Sequence, residues 1–213
     1  MPQSYNMEVM ALNKFGGVFW DERYSSNDFV YGTDPNVFFK NKLDKLNPGN
    51  LLLLGEGEGR NAVYAARNRW SVDAVDFSKT AKLKALKLAK ENSVNINYEV
   101  ADLSKYKAKS NYYDAVGIIY LHLNPKLRRI IHSNVTASLK PGGTLILEVY
   151  EKKQLGKDSG GPKNIDMLYS KEELIADFNN MKIKELEKKH ITLDESQQHR
   201  GEAVVLRLVA IKP

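Results

Sequence analysis

The stretch "LLLLGEGEGRNAVYAA", residues 51–66, constrains the fold more than any other. Four leucines run into Gly55, Gly57 and Gly59, and Arg60 opens an alanine-rich helical run. An apolar strand that turns at once into a helix begins a βαβ unit, and alternating glycines let the backbone take positive φ and approach a ligand closely. In open α/β sheets such a loop lies beyond the carboxyl ends of the strands, where the strand order reverses and ligands bind. The dinucleotide spacing G-x-G-x-x-G is not met, because position 60 is Arg60. Taken alone, the loop also reads as a tight strand-to-helix turn.

Two glutamates inside the loop bear on what binds there. At an effective dielectric near 20, unit charges roughly 4 to 8 Å apart interact by about 2–4 kcal/mol. Glu56 and Glu58 would therefore oppose a pyrophosphate and favour a ligand with positive centres, such as a sulfonium or an α-ammonium group. A second reading keeps them as partners of the following helix, whose positive dipole end favours carboxylates. Both readings stand at this level.

Downstream, "SVDAVDF", "INYEVADL", "YYDAVGIIYL" and "GGTLILEVY" are short β-rich runs. Helices are predicted from Arg60 to Arg69, Ser78 to Asn92 and Pro125 to Leu139. This alternation predicts a parallel sheet with helices on both faces. "LKPGG" predicts a helix end and turn before a strand at Thr144 to Tyr150. Ser170 and Glu173 have capping-box spacing. "MKIKELEKKHITL" and "AVVLRLVAIKP", joined by the polar stretch "DESQQHRGE", read as a terminal antiparallel pair. The expectation is an α/β chain with a Rossmann-like, seven-stranded, mostly parallel sheet ending in that pair. One domain is expected, with residues 1–48 as an aromatic lid or helical segment and 49–213 as the core. In the lid, Asp34 and Pro35 mark a helix start.

Composition narrows the chemistry. The 213 residues include no cysteine, which excludes disulfides, cysteine-ligated metal and a thiol nucleophile. No metal is expected. The net charge of +6 invites a nucleic-acid reading, but many of the lysines fall in "SKTAKLKALKLAKEN". There they alternate with Ala81, Leu83, Ala85, Leu86, Leu88 and Ala89, the pattern of a solvated helix face. Nucleic acid is thus a disfavoured partner. The start "MPQSYNMEVMALNKFGG" lacks a basic segment followed by a long apolar one, and no run approaches ~18 apolar residues. A cytoplasmic protein with no membrane partner is expected, as monomer or homodimer.

Two acids fall in register with the loop. Asp76 ends the second strand, where a carboxylate can accept from ribose hydroxyls. Asp102 follows the third strand, where one can accept from an exocyclic adenine amine. Singly, each also reads as a turn residue or helix cap.

With these residues the chain resembles a class I S-adenosylmethionine-dependent methyltransferase, of the small bacterial type that includes tellurite-resistance and thiopurine or thiol methyltransferases. The resemblance runs from "WDERY" and "YGTDPNVFF" through "GEGEGRNAVYAA", "VDAVDFS", "VADL", "YYDAVGIIYLHL" and "LKPGGTLILEVY" to the terminal pair. It implies S-adenosyl-L-methionine as cofactor, with Gly55, Gly57 and Gly59 along its methionine part. Asp76 would hold the ribose and Phe77 would flank the adenine, whose edge Asp102 and Leu103 meet. Asn61 joins this set. The family usually carries an acid two residues before the first glycine, and here that position is Leu53. The expectation is that Glu56, with Glu58 as second choice, takes over its role toward the cofactor's amino group.

Methyl transfer from a sulfonium is an in-line displacement, so alignment in a dry pocket is the main task. A soft nucleophile needs little base catalysis, whereas an amine or hydroxyl often needs a proton acceptor. The acceptor expected is a small molecule, with a thiol or a selenium or tellurium oxyanion favoured. His122 and Tyr150 are the catalytic candidates, ahead of Glu148 and of His199 and Arg200 in the loop between the last strands. Equally, His122 reads as a loop histidine capping the next helix. Trp20, Tyr24 and Tyr31 offer aromatic faces to a sulfonium, or else simply pack the N-terminal segment onto the sheet. Arg23 and Arg60 suit an oxyanion, or surface ion pairs. The glycine-bearing stretch "GKDSGGPKNIDMLYS" reads as a mobile substrate loop or as a plain connection. Two competing classes remain: a cofactor-binding regulatory protein without turnover, and a nicotinamide-dependent oxidoreductase, which the loop glutamates oppose.

Overall fold

The computed structural model describes residues 17–196 and 198–213; the reading of the N-terminal stretch up to residue 16 lies outside them. Seven strands form one sheet in the order β3-β2-β1-β4-β5-β7-β6. They are β1 (Asn50–Leu54), β2 (Ser71–Asp76), β3 (Asn97–Val100), β4 (Tyr113–Ile119), β5 (Leu139–Tyr150), β6 (Lys182–Ser196) and β7 (His199–Ile211). The first five pair in parallel, and β7 inserts antiparallel between β5 and β6. The sheet is Rossmann-like, with the order reversing between β1 and β4 beside the glycine loop.

The parallel centre is buried on both faces, which is why β1 and β4 are almost wholly apolar. One core layer gathers Leu52, Leu54, Val116 and Ile118 with Ile131, Val135 and Phe178. The other gathers Leu51, Leu53 and Ala115 with Phe39, Ala62 and Ala85. Leu53 is thus a core side chain at 1% exposure.

Six α-helices are described: α1 (Gly17–Arg23), α2 (Val37–Leu43), α3 (Arg60–Arg67), α4 (Lys79–Glu91), α5 (Pro125–Ser138) and α6 (Lys171–Asp177). Caps set their starts. Asn36, Ser78, Asn124 and Ser170 each accept a first-turn N–H, and Ser170 with Glu173 completes a capping box. Gly59, at φ 90°, turns the chain into α3. A Cβ there would lie 2.6 Å from that of Ala85, so its lack of side chain lets α3 and α4 close.

Several boundaries differ from expectation. Three predicted helices are shorter, because Ser78, Asn92 and Leu139 are caps and the turn after α3 begins at Asn68. The "LKPGG" turn is absorbed into β5, since Gly142 N and Gly143 O bond Lys212 across the ladder. Most of "DESQQHRGE" is strand. His199 and Arg200 pair with Ser196 and Asp194 at the start of β7 and are not loop residues. On α4 the buried stripe is Ala81, Ala85, Leu88 and Ala89, whereas Leu83 is 70% exposed. Only the former set keeps the 3.6-residue period.

Candidate functional site

The glycine loop, the ends of β2 and β4, and residues 17–36 meet at the carboxyl edge of the sheet. Asp76, the last residue of β2, is buried and accepts from Gly57 N and Ser78 N, both at 2.9 Å. Burial raises its carboxyl above the ordinary value, and these two N–H donors work against that. Both oxygens keep acceptor capacity beyond the two bonds. Asp102 is part-buried, its Oδ1 accepting from Ser104 N at 2.8 Å. Beside it, the Leu103 side chain turns down into the core. Phe77 is 39% exposed and its ring lies against Gly17 of α1, where a Cβ would come within 2.7 Å of it.

The loop glutamates part company. Glu56 is buried, and its Oε1 accepts from Ala62 N at 2.6 Å. Asn61 lies beside it, its own Oδ1 accepting from Asn36 N at 2.9 Å. Among the described residues no cation lies within ion-pair distance of Glu56, and burial raises its carboxyl from 4.5 to about 7. Glu58 has a cation: Lys84 Nζ lies 2.5 Å from its Oε1, while Oε2 accepts from Tyr31 N at 3.3 Å. The helix-dipole reading accounts for the Ala62 bond to Glu56. It leaves the charge of Glu56 without a cation in ion-pair contact among the described residues, Arg60 acting on it from farther away.

Residues 17–36 cover this loop. Tyr24 is buried, with its hydroxyl where a Cβ on Gly57 would be 2.8 Å away. Trp20 stacks on Tyr24 at 5.7 Å, and Tyr24 meets Tyr31 edge-on at 6.1 Å. Asp21 Oδ1 accepts from Ser78 Oγ at 2.6 Å and Thr80 N at 2.9 Å, tying α1 to the start of α4.

On the acceptor side, the Tyr31 and Tyr120 rings each lie 4.7 Å from His199, and Tyr120 lies 4.8 Å from Tyr150. Tyr120 holds φ at 54°, a costly conformation for a non-glycine residue. Beneath the rings, polar groups form a continuous row. Arg207 pairs with Glu148, which also accepts from Tyr120 Oη at 2.9 Å and Asn36 Nδ2 at 2.7 Å. Asn36 Nδ2 reaches Glu195 at 3.3 Å, and Glu195 Oε2 meets Arg60 at 2.9 Å and His199 Nδ1 at 3.2 Å. Arg60 and His199 hold the Glu195 carboxyl below its ordinary value against the effect of burial.

The two catalytic candidates sit differently from expectation. His122 Nδ1 donates to Met167 O at 2.9 Å and Nε2 accepts from Tyr150 N at 3.3 Å, which defines a neutral tautomer. Burial lowers its pKa to about 4. With both nitrogens engaged by backbone, His122 offers no atom for taking a proton and instead holds the chain near Met167. Nor does it cap the next helix, a place taken by Asn124. Tyr150 donates to Ser159 O at 3.1 Å, and burial pushes its phenol further up. Sequence reading missed Asn36 and Glu195 outright, and placed Lys84 on a solvated face.

Residues 51–143 match the sequence profile of a methyltransferase domain. No curated protein sequence matches the chain. Among solved structures, the chain is similar to one described for conversion of a disulfide bond into a thioacetal group during echinomycin biosynthesis. The two are 16% identical over 94% of this chain and 91% of that one, with a TM-score of 0.73. TehB from Haemophilus influenzae is 17% identical, over 92% of this chain and 67% of its own, at 0.70. A phosphoethanolamine N-methyltransferase from Haemonchus contortus, in complex with S-adenosyl-L-methionine, is 19% identical over 92% of this chain and 57% of its own, at 0.64. At these identities the likeness is one of fold, and it extends past the methyltransferase profile to β6 and β7.

The residues at the loop fit the cofactor of such a domain. A buried carboxylate with no cationic partner, Glu56, suits a ligand that carries positive charge. A carboxylate with spare acceptor capacity at the end of β2 suits vicinal hydroxyls.

Proposed function

We propose that this chain transfers a methyl group from S-adenosyl-L-methionine to a small-molecule acceptor with a soft nucleophilic atom. The observation that carries the reading is Glu56, buried at the glycine loop without an ion-pair partner. Folding such a group costs stability, and a site for a cationic ligand gives that cost a use.

Glu56 would meet the ammonium end of the cofactor, Asp76 the ribose hydroxyls, and Phe77, Asp102 and Leu103 the adenine, with Gly55, Gly57, Gly59 and Asn61 along the methionine part. When bound, the cofactor supplies a methyl carbon on a sulfonium. Trp20, Tyr24 and Tyr31 exclude water and turn aromatic faces to positive charge. Tyr120, Tyr150 and His199 wall the acceptor's place. Glu195 holds Nδ1 of His199, which leaves Nε2 as the atom to take a proton from an acceptor that carries one.

Between a thiol and a selenium or tellurium oxyanion, the charges favour the thiol. Arg60 is engaged by Glu195, Arg207 by Glu148 and Arg23 by Gln198, and Glu148 and Glu195 would repel an anion. Methyl transfer measured with an aryl thiol, selenite and tellurite separates the two. Turnover of the thiol alone is expected. Turnover confined to the oxyanions would overturn the acceptor assignment, and cofactor binding without turnover of any of them would favour a regulatory protein.

A further inference from the structure

The geometry points to Lys84 and Glu58 as the latch that seats residues 17–34 on the glycine loop, so that this pair sets how fast cofactor enters and leaves. The inference rests on the cofactor reading above for its ligand, but not for its mechanics.

Lys84 lies on α4, beside the Ala81–Ala85–Leu88 stripe, and its side chain is 11% exposed. Its Nζ donates to three backbone carbonyls of the covering segment: Tyr24 O at 3.3 Å, Ser26 O at 2.9 Å and Asp28 O at 2.6 Å. The same ammonium sits 5.3 Å from the centre of the Phe29 ring. Its one close anion among the described residues is Glu58 Oε1 at 2.5 Å, an ion pair without hydrogen-bond directionality. The Glu58 side chain is 2% exposed, and its other oxygen takes Tyr31 N. One cation thus gathers three carbonyls from the middle of the segment, while its counter-ion, rooted in the glycine loop, takes an amide three residues further on.

Two features make this pair a latch and not merely an ion pair. First, it clamps the residues that close the loop. Tyr24 stands over Gly57, and Tyr31 reaches the His199 ring at 4.7 Å. Second, charge within low dielectric commits the clamp. A lone Lys84 would leave a buried ammonium, and a lone Glu58 a buried carboxylate, so the closed state needs both. Other ties to this segment are carried by different groups: Arg60 to Tyr31 O at 3.3 Å and Asp34 O at 3.4 Å, and Asp21 to Ser78 at 2.6 Å. Those persist when the latch is removed, so its loss should free the middle of the segment without unseating α1. Lys84 is accordingly a positioning residue, since it touches neither reacting atom.

Amide hydrogen exchange on the full chain without cofactor tests the mechanics. In Lys84→Met and in Glu58→Gln, exchange at the Tyr31 amide should rise at least tenfold. The Phe39 amide, held by Asn36 Oδ1, should not change, and Lys84→Arg should restore most of the protection. Stopped-flow release of S-adenosylhomocysteine, read through emission of Trp20, should then be at least tenfold faster in both variants, with the arginine variant near the wild type. Unchanged exchange at Tyr31 in both variants overturns the latch, as does release in both variants no faster than from a wild-type protein that binds. If wild-type protein binds no cofactor analogue, the cofactor reading fails on its own and the control of ligand exchange fails with it, whatever the amides show. Should Lys84→Met not fold, Glu58→Gln and Lys84→Arg carry the same comparison.

Discussion

A carboxylate enclosed as Glu56 is answers differently to pH than a surface acid does. Its value of about 7 in the fold lies above the ordinary 4.5, so its stabilising contribution is full below pH 4.5 and is lost as pH rises through 7. At pH 8 the charged form costs the fold on the order of 3 kcal/mol. Glu56→Gln keeps an oxygen for Ala62 N and carries no charge. It should therefore raise the melting temperature by several degrees at pH 8 and change it little at pH 5. Melts at both values check this, and an equal effect at both would contradict it. A cationic ligand reverses the balance: cofactor affinity should climb as pH passes 7, and the same substitution should weaken binding about tenfold or more, by titration calorimetry. Asp76 differs in kind, because its carboxylate already accepts two backbone N–H groups. Asp76→Ala leaves both without that partner and should cost about 1–3 kcal/mol in urea unfolding, in addition to any loss of binding.

For elements, the lesson lies in how the helices are seated. Gly59→Ala would force a Cβ to 2.9 Å from the backbone of Ala85 at a φ of 90°, so α3 and α4 must part. A loss of about 2–4 kcal/mol is expected in denaturant unfolding, at the upper end of single substitutions. Ser170→Ala removes one half of the capping box on α6 and should cost about 1 kcal/mol. These starts were legible because capping chemistry is local: Ser170 and Glu173 meet three residues apart. The start of β5 was not legible, because Gly142 and Gly143 become strand only through Lys212. Likewise, the enclosure of the Lys84 side chain, on a helix whose Lys79, Lys87 and Lys90 are exposed, depends on carbonyls about 56 to 60 residues away in the chain.

Taken whole, the molecule places five parallel strands so that their carboxyl ends present the glycine loop, Asp76 and Asp102 on one edge, and it closes that edge with residues from both ends of the described chain. Among those residues no helix is long and apolar enough to cross a membrane. Fold alone does not give activity, so ligand binding is the property to measure on the intact protein. S-adenosyl-L-methionine at ~100 times its dissociation constant adds about 2.7 kcal/mol, a rise of roughly 5–11 °C for a chain of this size. That rise is expected with the cofactor and with S-adenosylhomocysteine, and not with NADH; a rise with NADH alone would remove the methyltransferase reading.

Strand alternation, the glycine turn, the Ser170–Glu173 capping box and the acid at the end of β2 were all readable in the linear chain, because each depends on residues within a few positions or on the period of one element. The seven strands and their terminal antiparallel pair followed from that periodicity, whereas their order in the sheet came from the fold. What needed three dimensions was the pairing of charges. Glu58 found Lys84, Glu148 found Asn36 and Arg207, and Glu195 found Arg60 and His199, across up to 135 residues in the Arg60 pair. Glu56 found no cation within ion-pair distance among the described residues. Long-range pairing is set by topology and by desolvation, and neither leaves a spacing in the sequence.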